Sequence, residues 1–492
     1  MSNLHLNTPV SPETARPAHH AADRLGTEPV GKLLLQFSVP AITGMLVNAL
    51  YNVVDRIFVG RGVNETALGG LALVMPLMTI CMAFSMLFGM GAANMISMRL
   101  GQQRREEAEL ALNHCFWLLS ITGLLLMIGG LIWIEPILSV LGAQKGSAAL
   151  DYARSYLRII LFGSVFAMLS FGFSHCTRAQ GFPRITMLSM FIGAGLNMLL
   201  DPLFIFVFHW GVEGAAWATI LSQCAATLWL LSFNRGKSAV IRLRLTRFRP
   251  RLGTITGILA FGSSQFLLQF VMSGVQLLYN ASMGWYGAAA LGVSNGGDVA
   301  LSGMNIIASV SLFILMPIFG INQGAQPILG YNYGAKRFDR VRSAYLRAVA
   351  TASGICIAGF LLVQAAPQAL VGLFAPAGSP ELLYFTPRAM RTVMLLLPLN
   401  GFQIVSANVF VVTGRPKIAI LLSLLRQCIV LIPCMLLFGV LWGLSGVIAA
   451  APVADGFSCI LTTLMISLEL RKLRVPAVHE AEPVPGSPGS GA

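Results

Sequence analysis

"GAANMISMRLGQQRREEA" at residues 91–108 and "GAQPILGYNYGAKRFDRV" at residues 324–341 carry one pattern twice. Each closes a long apolar run and passes through a glycine into a basic junction, with Gly91, Ala92 and Gly101 aligned to Gly324, Ala325 and Gly334 at one offset of 233 residues (Gly101 to Gly334). The pattern persists downstream. "QGFPRI" at 180–185 returns as "TGRPKI" at 413–418, and "WGVEGAA" at 210–216 returns as "WGLSGVI" at 442–448. Apolar segments resemble one another easily by chance, but glycine, turn and proline punctuation kept at nearly one spacing indicates internal duplication.

Of the 492 residues, 56% are hydrophobic and only 11% charged. Soluble proteins carry roughly a quarter of charged residues, so the chain reads as a polytopic membrane protein. Apolar runs recur from Leu33 to Leu470, and at ~20 residues per crossing they make about twelve helices. The fold class expected is all-α, about twelve transmembrane helices in two parallel-repeat lobes of six. The lobes fall at 32–233 and 254–470, a basic linker at 234–253, and segments expected to be disordered at 1–31 and 471–492. The tenth helix is expected as one piece over 383–413. An even number of crossings brings both halves in from the same side, related by an axis along the membrane normal, as in some secondary transporters.

The net charge of +14 does not line a groove for nucleic acid. It gathers at helix junctions: Arg99, Arg104 and Arg105; Arg235 through Arg251; Lys336, Arg337, Arg340 and Arg342; Arg471, Lys472 and Arg474. The positive-inside rule places these junctions in the cytoplasm, with both termini inside. The eight cysteines lack metal-type spacing and read as packing residues. No phosphate loop, HExxH helix or soluble ATPase region occurs, so no cofactor or enzymatic chemistry is expected. Energy must then come from an ion gradient or a partner chain.

Two acids interrupt the apolar runs: Asp55 in "NALYNVVDRIFVG" (48–60) and Asp201 in "GLNMLLDPLFIFVF" (195–208). A carboxylate in lipid costs several kcal/mol unless it is solvated, paired or protonated. Counted at ~1.5 Å per residue from Lys32 and Arg184, Asp55 rises ~35 Å and Asp201 ~26 Å, both into the half far from the basic junctions. Tyr51 and Asn197 each precede their acid by one helical turn on the same face, and Thr219 in the sixth helix reaches the same half. Apolar surroundings favour a neutral acid and two nearby carboxyls resist being charged together, which suits loading and release of a proton. The plainer reading makes Asp55, followed by Arg56, an interfacial residue and Asp201 a helix-end polar group. Pro40 and Pro202 each remove a backbone donor and make a hinge or a static kink. In the second half, Gln265, Gln269, Met272, Asn295 and Asp298 are candidate walls of a substrate cavity, or groups that hydrogen-bond neighbouring helices.

Taken together, these segments resemble the multidrug and toxic compound extrusion (MATE) family over roughly 32–470. The carriers are "YNVVDRIFVG" at 51–60, "RAQGFPR" at 178–184, "LNMLLDPLFIF" at 196–206, "GVEGAAWAT" at 211–219 and "MPIFGINQGAQPILGYNYGAKRF" at 316–338. The resemblance, nearest to the DinF-like bacterial branch, implies two six-helix lobes and antiport coupled to a proton, or to sodium. The exported compounds would be organic, often cationic amphiphiles, and the working unit a monomer surrounded by membrane lipid. It implies that Asp55 and Asp201 are the coupling acids and Tyr51, Asn197 and Thr219 their polar companions. Glutamines and Asn400 where other members carry acids speak against a sodium site in the C-terminal lobe. The chain departs from the pattern at Ser174 and His175, ahead of Arg178, where many relatives carry asparagine. A lipid-linked precursor flippase of the same broad superfamily is the alternative; it would favour a basic cavity, whereas few intramembrane Arg or Lys are evident.

Overall fold

The computed structural model describes residues 17–63, 65–141, 147–244, 250–290, 296–374 and 380–472. In hydrocarbon every backbone polar group must be satisfied within its own segment, and the described chain is accordingly a succession of helices. The first half holds α1 (Pro17–Thr27), α2 (Val30–Gly62), α3 (Glu65–Gly101), α4 (Arg105–Ile132), α5 (Ile134–Val140), α6 (Ala148–Ala179), α7 (Pro183–Pro202) and α8 (Gly211–Arg235). The second holds α9 (Leu252–Ala290), α10 (Gly296–Gly334), α11 (Phe338–Ala365), α12 (Pro367–Gly372), α13 (Pro380–Val393), α14 (Leu397–Val412), α15 (Pro416–Leu424) and α16 (Ile432–Lys472). Two π-helical segments, Leu203–Val207 and Leu425–Leu431, follow α7 and α15.

Among the described residues, ten helical stretches are long and apolar enough to cross a membrane, or eleven when α13 and α14, bent by 48°, form one broken crossing. The helix expected as one piece over 383–413 is this bent pair. The stretch Pro416–Arg471 runs 56 residues but reverses at Gly443, where φ is 60°, a left-handed conformation natural to glycine. Its arms run antiparallel: Arg415 pairs with Glu469 at one level and Arg426 with Asp455 at the next. Counted as two crossings, this hairpin brings the total to twelve.

The hydrophobic core shows how the halves meet. One buried cluster mixes residues of both, such as Leu33 and Ile96 with Ile328 and Val409, around the end that carries the basic junctions. At the opposite, far end there are two separate clusters, one around Val59 and Leu157, the other around Met283 and Val447. The lobes are therefore joined at the basic end and packed independently at the far end.

That junction is close enough to need glycine. A Cβ at Gly101 would lie 2.0 Å from the Tyr331 carbonyl oxygen, and one at Gly334 would lie 2.1 Å from that of Met98. The two contacts are copies at the repeat offset, so α3 and α10 cross reciprocally. A Cβ at Gly91 would likewise run into the Ile258 carbonyl of α9, and one at Gly324 would lie 2.7 Å from the Ser38 backbone nitrogen of α2. Two polar pairs cross the same interface: Arg178 donates to Gln323 Oε1 at 2.6 Å, and Gln326 donates to Asn94 Oδ1 at 2.5 Å.

The amino-terminal segment departs from the disorder expected through residue 31. Helix α1 buries Ala22 and Leu25 and is fixed through its last carbonyls. Asn332 donates to Leu25 O at 2.9 Å, Arg337 to Gly26 O at 2.6 Å, and Arg340 to Glu28 O at 2.5 Å. Helix ends leave such carbonyls without intrahelical donors, and the guanidinium groups of the second lobe supply them. Residues 1–16 and 473–492, where disorder was also expected, lie outside the described residues. The basic linker is docked too: the Ile241 N–H donates to Gln180, the Arg244 N–H to Asn113 Oδ1 at 2.8 Å, and the Arg244 guanidinium pairs with Glu109 at 2.7 Å.

Candidate functional site: a carboxyl pair in one lobe

Asp55 lies on α2, and Asp201 near the end of α7; α2 and α7 pack along each other. That packing brings the two carboxyl groups close enough to feel each other's charge. Asp201 is fully buried, with Asn197 and Thr219 nearly so, while Asp55 and Tyr51 are half-buried. One turn below Asp201, the Asn197 amide donates to Asp201 Oδ2 at 2.7 Å, and its oxygen accepts from the Thr219 N–H at 3.3 Å. This orientation satisfies both ends of the amide; the reverse would set two oxygens against each other.

Thr219 joins the cluster from α8. Its hydroxyl donates to the Ala215 carbonyl at 3.0 Å, which leaves its two lone pairs for other donors. The phenols of Tyr51 and Tyr156 both stand beside this hydroxyl. Tyr156, on α6 and 5% exposed, was not singled out in the sequence. Depth would have found it: Tyr156 and Thr219 each lie eight residues past the first residue of a helix that descends from the far end.

Pro202 closes the site. It has no N–H to offer the carbonyl one turn earlier, and directly beyond it the backbone widens into the π-helical turn Leu203–Val207. Such single-turn widenings recur at functional positions. Pro40, by contrast, makes no break, since α2 is continuous from Val30 to Gly62. It sits between Ser38 and Ile42, which meet Gly324 and Gly320 of the second lobe.

The candidates in the second lobe do not gather. Gln265 and Gln269 are half-buried and Met272 exposed along α9. Asp298 is exposed in the first turn of α10, where Gly297 packs on Gly284. Gln269 is thus ~22 Å along α9 from that level. Asn295 lies outside the described residues. His175 is buried near the basic end, with its ring centroid 4.9 Å from that of Phe171.

The second lobe holds instead an ion pair between a buried carboxylate and a half-buried arginine that sequence reading missed. Arg426, in the π-helical segment after α15, donates to Asp455 Oδ1 of α16 at 2.5 Å, and Gln403 of α14 donates to the Asp455 carbonyl at 2.6 Å. Arg426 and Asp455 stand 29 positions apart across a turn, which hid the pairing. Among the described residues, no group of three His, Cys, Asp or Glu is placed to hold a metal ion.

Two like bundles that share a core at one membrane end only, with an acid pair buried in one of them, define a multi-pass membrane transporter built by duplication. The family model MatE matches residues 40–203 and 266–437. The chain belongs to this family, the MATE transporters, and is thus a transporter rather than an enzyme. It is 26% identical over 443 residues to the multidrug export protein MepA of Staphylococcus aureus, covering 90% of this chain and 94% of that one. To MepA of Staphylococcus haemolyticus it is 26% identical over 440 residues, covering 89% and 94%. A solved structure described as the outward-facing conformation of a multidrug resistance MATE family transporter of the MOP superfamily superposes with a TM-score of 0.84 at 25% identity, covering 92% of this chain and 98% of that one. Two lobes of six helices, expected from the repeat, are the architecture of these relatives.

Proposed function

We propose that the chain is a cation-coupled antiporter that exports organic, cationic amphipathic compounds by alternating access, with the proton as coupling ion and sodium as its alternative. The observation that carries this reading is the contact between Asp55 and Asp201 inside one lobe. Two carboxylates in contact away from water repel unless they share one positive charge, so the site accepts a single cation and gives it up at a cost. Asp55 and the inter-lobe residues Ser38 and Ile42 ride on one continuous helix, so a shift at the acids is delivered ~20 Å away at the lobe junction. Pro202, beyond which the backbone widens into the π-helical turn, is the hinge of that motion, and Pro40 lies at the lobe junction to which the helix carries it. Gln265, Gln269 and Met272 on α9 are the substrate-cavity residues of this reading; Asp298 stands apart from them at the start of α10, and Asn295 lies outside the described residues.

Positive-inside logic puts the basic end in the cytoplasm of a bacterial plasma membrane, with both termini there. The shared core at that end then makes this the outward-facing arrangement of a functional monomer. The export of several drugs, for which the staphylococcal relatives are named, supports the substrate class.

The test is efflux of a fluorescent organic cation from proteoliposomes with an imposed pH gradient or an imposed sodium gradient. A pH gradient is expected to drive it, and Asp55→Asn and Asp201→Asn each to abolish the driven component while the protein remains folded. Unchanged driven efflux in both variants would sink the coupling assignment, and driving by sodium alone would make sodium the ion.

A further inference from the structure

At the basic end, a crevice of about 310 Å³ opens between the start of α2 and the turn that joins α6 to α7. Its walls divide by chemistry. Arg24, Gln36 and Arg184 line it together with Phe37, Phe182 and Ile185, so charge and hydrogen-bond donors stand beside an aromatic and aliphatic floor. Sites of a few hundred Å³ with a few polar groups on apolar walls suit amphiphilic ligands.

The charge around the crevice is positive. Arg24 is held by Glu28 and by Gln36 Oε1 at 2.9 Å, and Glu28 also meets Lys32 at 3.5 Å. Counting Arg24, Lys32 and Arg184 against Glu28 leaves two positive charges. Arg184 is exposed. The wall beneath it is the first turn of α7, which has Pro183 at its start and no side-chain cap, so its free N–H groups add to the positive field.

The geometry points to an anionic phospholipid: we propose that its phosphate sits between Arg184 and Arg24, with its acyl chains running over Phe37, Phe182 and Ile185 toward the groove between α2 and α7. Basic pockets between membrane helices at the cytoplasmic leaflet bind anionic headgroups in this way. The position gives the lipid a consequence. Arg24 belongs to α1, which is fixed to the second lobe through Asn332, Arg337 and Arg340, while Arg184 and Phe182 belong to the body of the first. The lipid therefore fastens α1 to the first lobe as the three donors fasten it to the second, and it favours the arrangement closed at the basic end. The site is independent of the coupling acids and does not require the transport reading.

Binding is tested on the purified full-length protein in nanodiscs of phosphatidylcholine doped with phosphatidylglycerol of the same acyl chains. The readouts are bound phosphatidylglycerol, by native mass spectrometry, and the thermal midpoint. Wild type is expected to retain phosphatidylglycerol over phosphatidylcholine. Arg184→Gln should weaken that preference about fivefold, the factor for roughly one basic residue near an anionic surface, and Arg184→Lys should restore most of it. Arg342→Gln, an exposed arginine of α11 away from the crevice, is expected to leave it unchanged. Equal preference in wild type and Arg184→Gln would overturn the proposal, as would an equal loss in Arg342→Gln, which would mean diffuse surface charge. Inorganic phosphate matching the effect of the lipid would also overturn it, since no chain contact would then be needed.

Discussion

Tyr156 and Tyr51 converge on a single hydroxyl, that of Thr219, from two different helices. Removal of one phenolic hydroxyl leaves the other in place, so Tyr156→Phe should lower driven efflux by a factor of a few to about ten, in keeping with a net ~0.5–1.5 kcal/mol for one hydrogen bond. Thermal unfolding in detergent should show the variant folded. The ion pair of the other lobe behaves differently, because loss of one partner strands a charge. Asp455→Asn should destabilise the protein by about 1–3 kcal/mol, the range for a hydrogen bond to a charged group, while the paired change Arg426→Met with Asp455→Leu should recover most of that; thermal midpoints of the three proteins decide it. Asp55 and Asp201 were legible because an acid in an apolar run is conspicuous. Tyr156 was not, since an aromatic there reads as packing, and Arg426 with Asp455 was not, since neither residue announces a partner on another helix.

At the scale of the element, apolar run length was a sufficient guide to the long helices, because lipid leaves the backbone no other way to satisfy itself. The departures have local causes. Helix α1 has too little apolar surface to declare itself and is fixed by donors from residues 332–340, which no local reading contains. The bend between α13 and α14 and the two π-helical segments are backbone adjustments that run length does not encode. The glycines of α3 and α10 were visible as a repeated pattern, whereas their purpose needed the crossing. Gly334→Ala would drive a methyl group to within 2.1 Å of the Met98 carbonyl, a contact that only a backbone shift relieves. That variant is expected to part the lobes at the basic end, read as faster maleimide labelling of a cysteine placed at Asn94, which is 1% exposed, in a background without reactive native thiols. Labelling no faster than in the parent would refute the packing argument.

For the whole molecule, a core shared at one end and divided at the other is the arrangement that the proposed alternating access requires at one of its extremes. Arg178 sits in the shared part, 3% exposed, with Gln323 rather than a carboxylate holding its guanidinium. A buried charge with only a neutral partner is costly, so this residue strains the closed end rather than securing it. Arg178→Leu is accordingly expected to stabilise closure, slowing the labelling of the Asn94 cysteine and reducing turnover. Faster labelling would show that Arg178 is a clasp instead. The division into lobes and their symmetry were readable from the 233-residue offset, but which end was shut was not, since duplication is equally consistent with either.

The reciprocal crossing of Gly101 on Tyr331 and Gly334 on Met98 has the form of an isologous contact, in which a patch meets its own copy. It is the symmetry that two half-length copies would have if they paired as a homodimer. What both halves share is the surface that such a pairing requires. The acid pair lies in one half and the Arg426–Asp455 bridge in the other, so joining two like halves in one chain leaves each free to carry a polar site that its copy lacks.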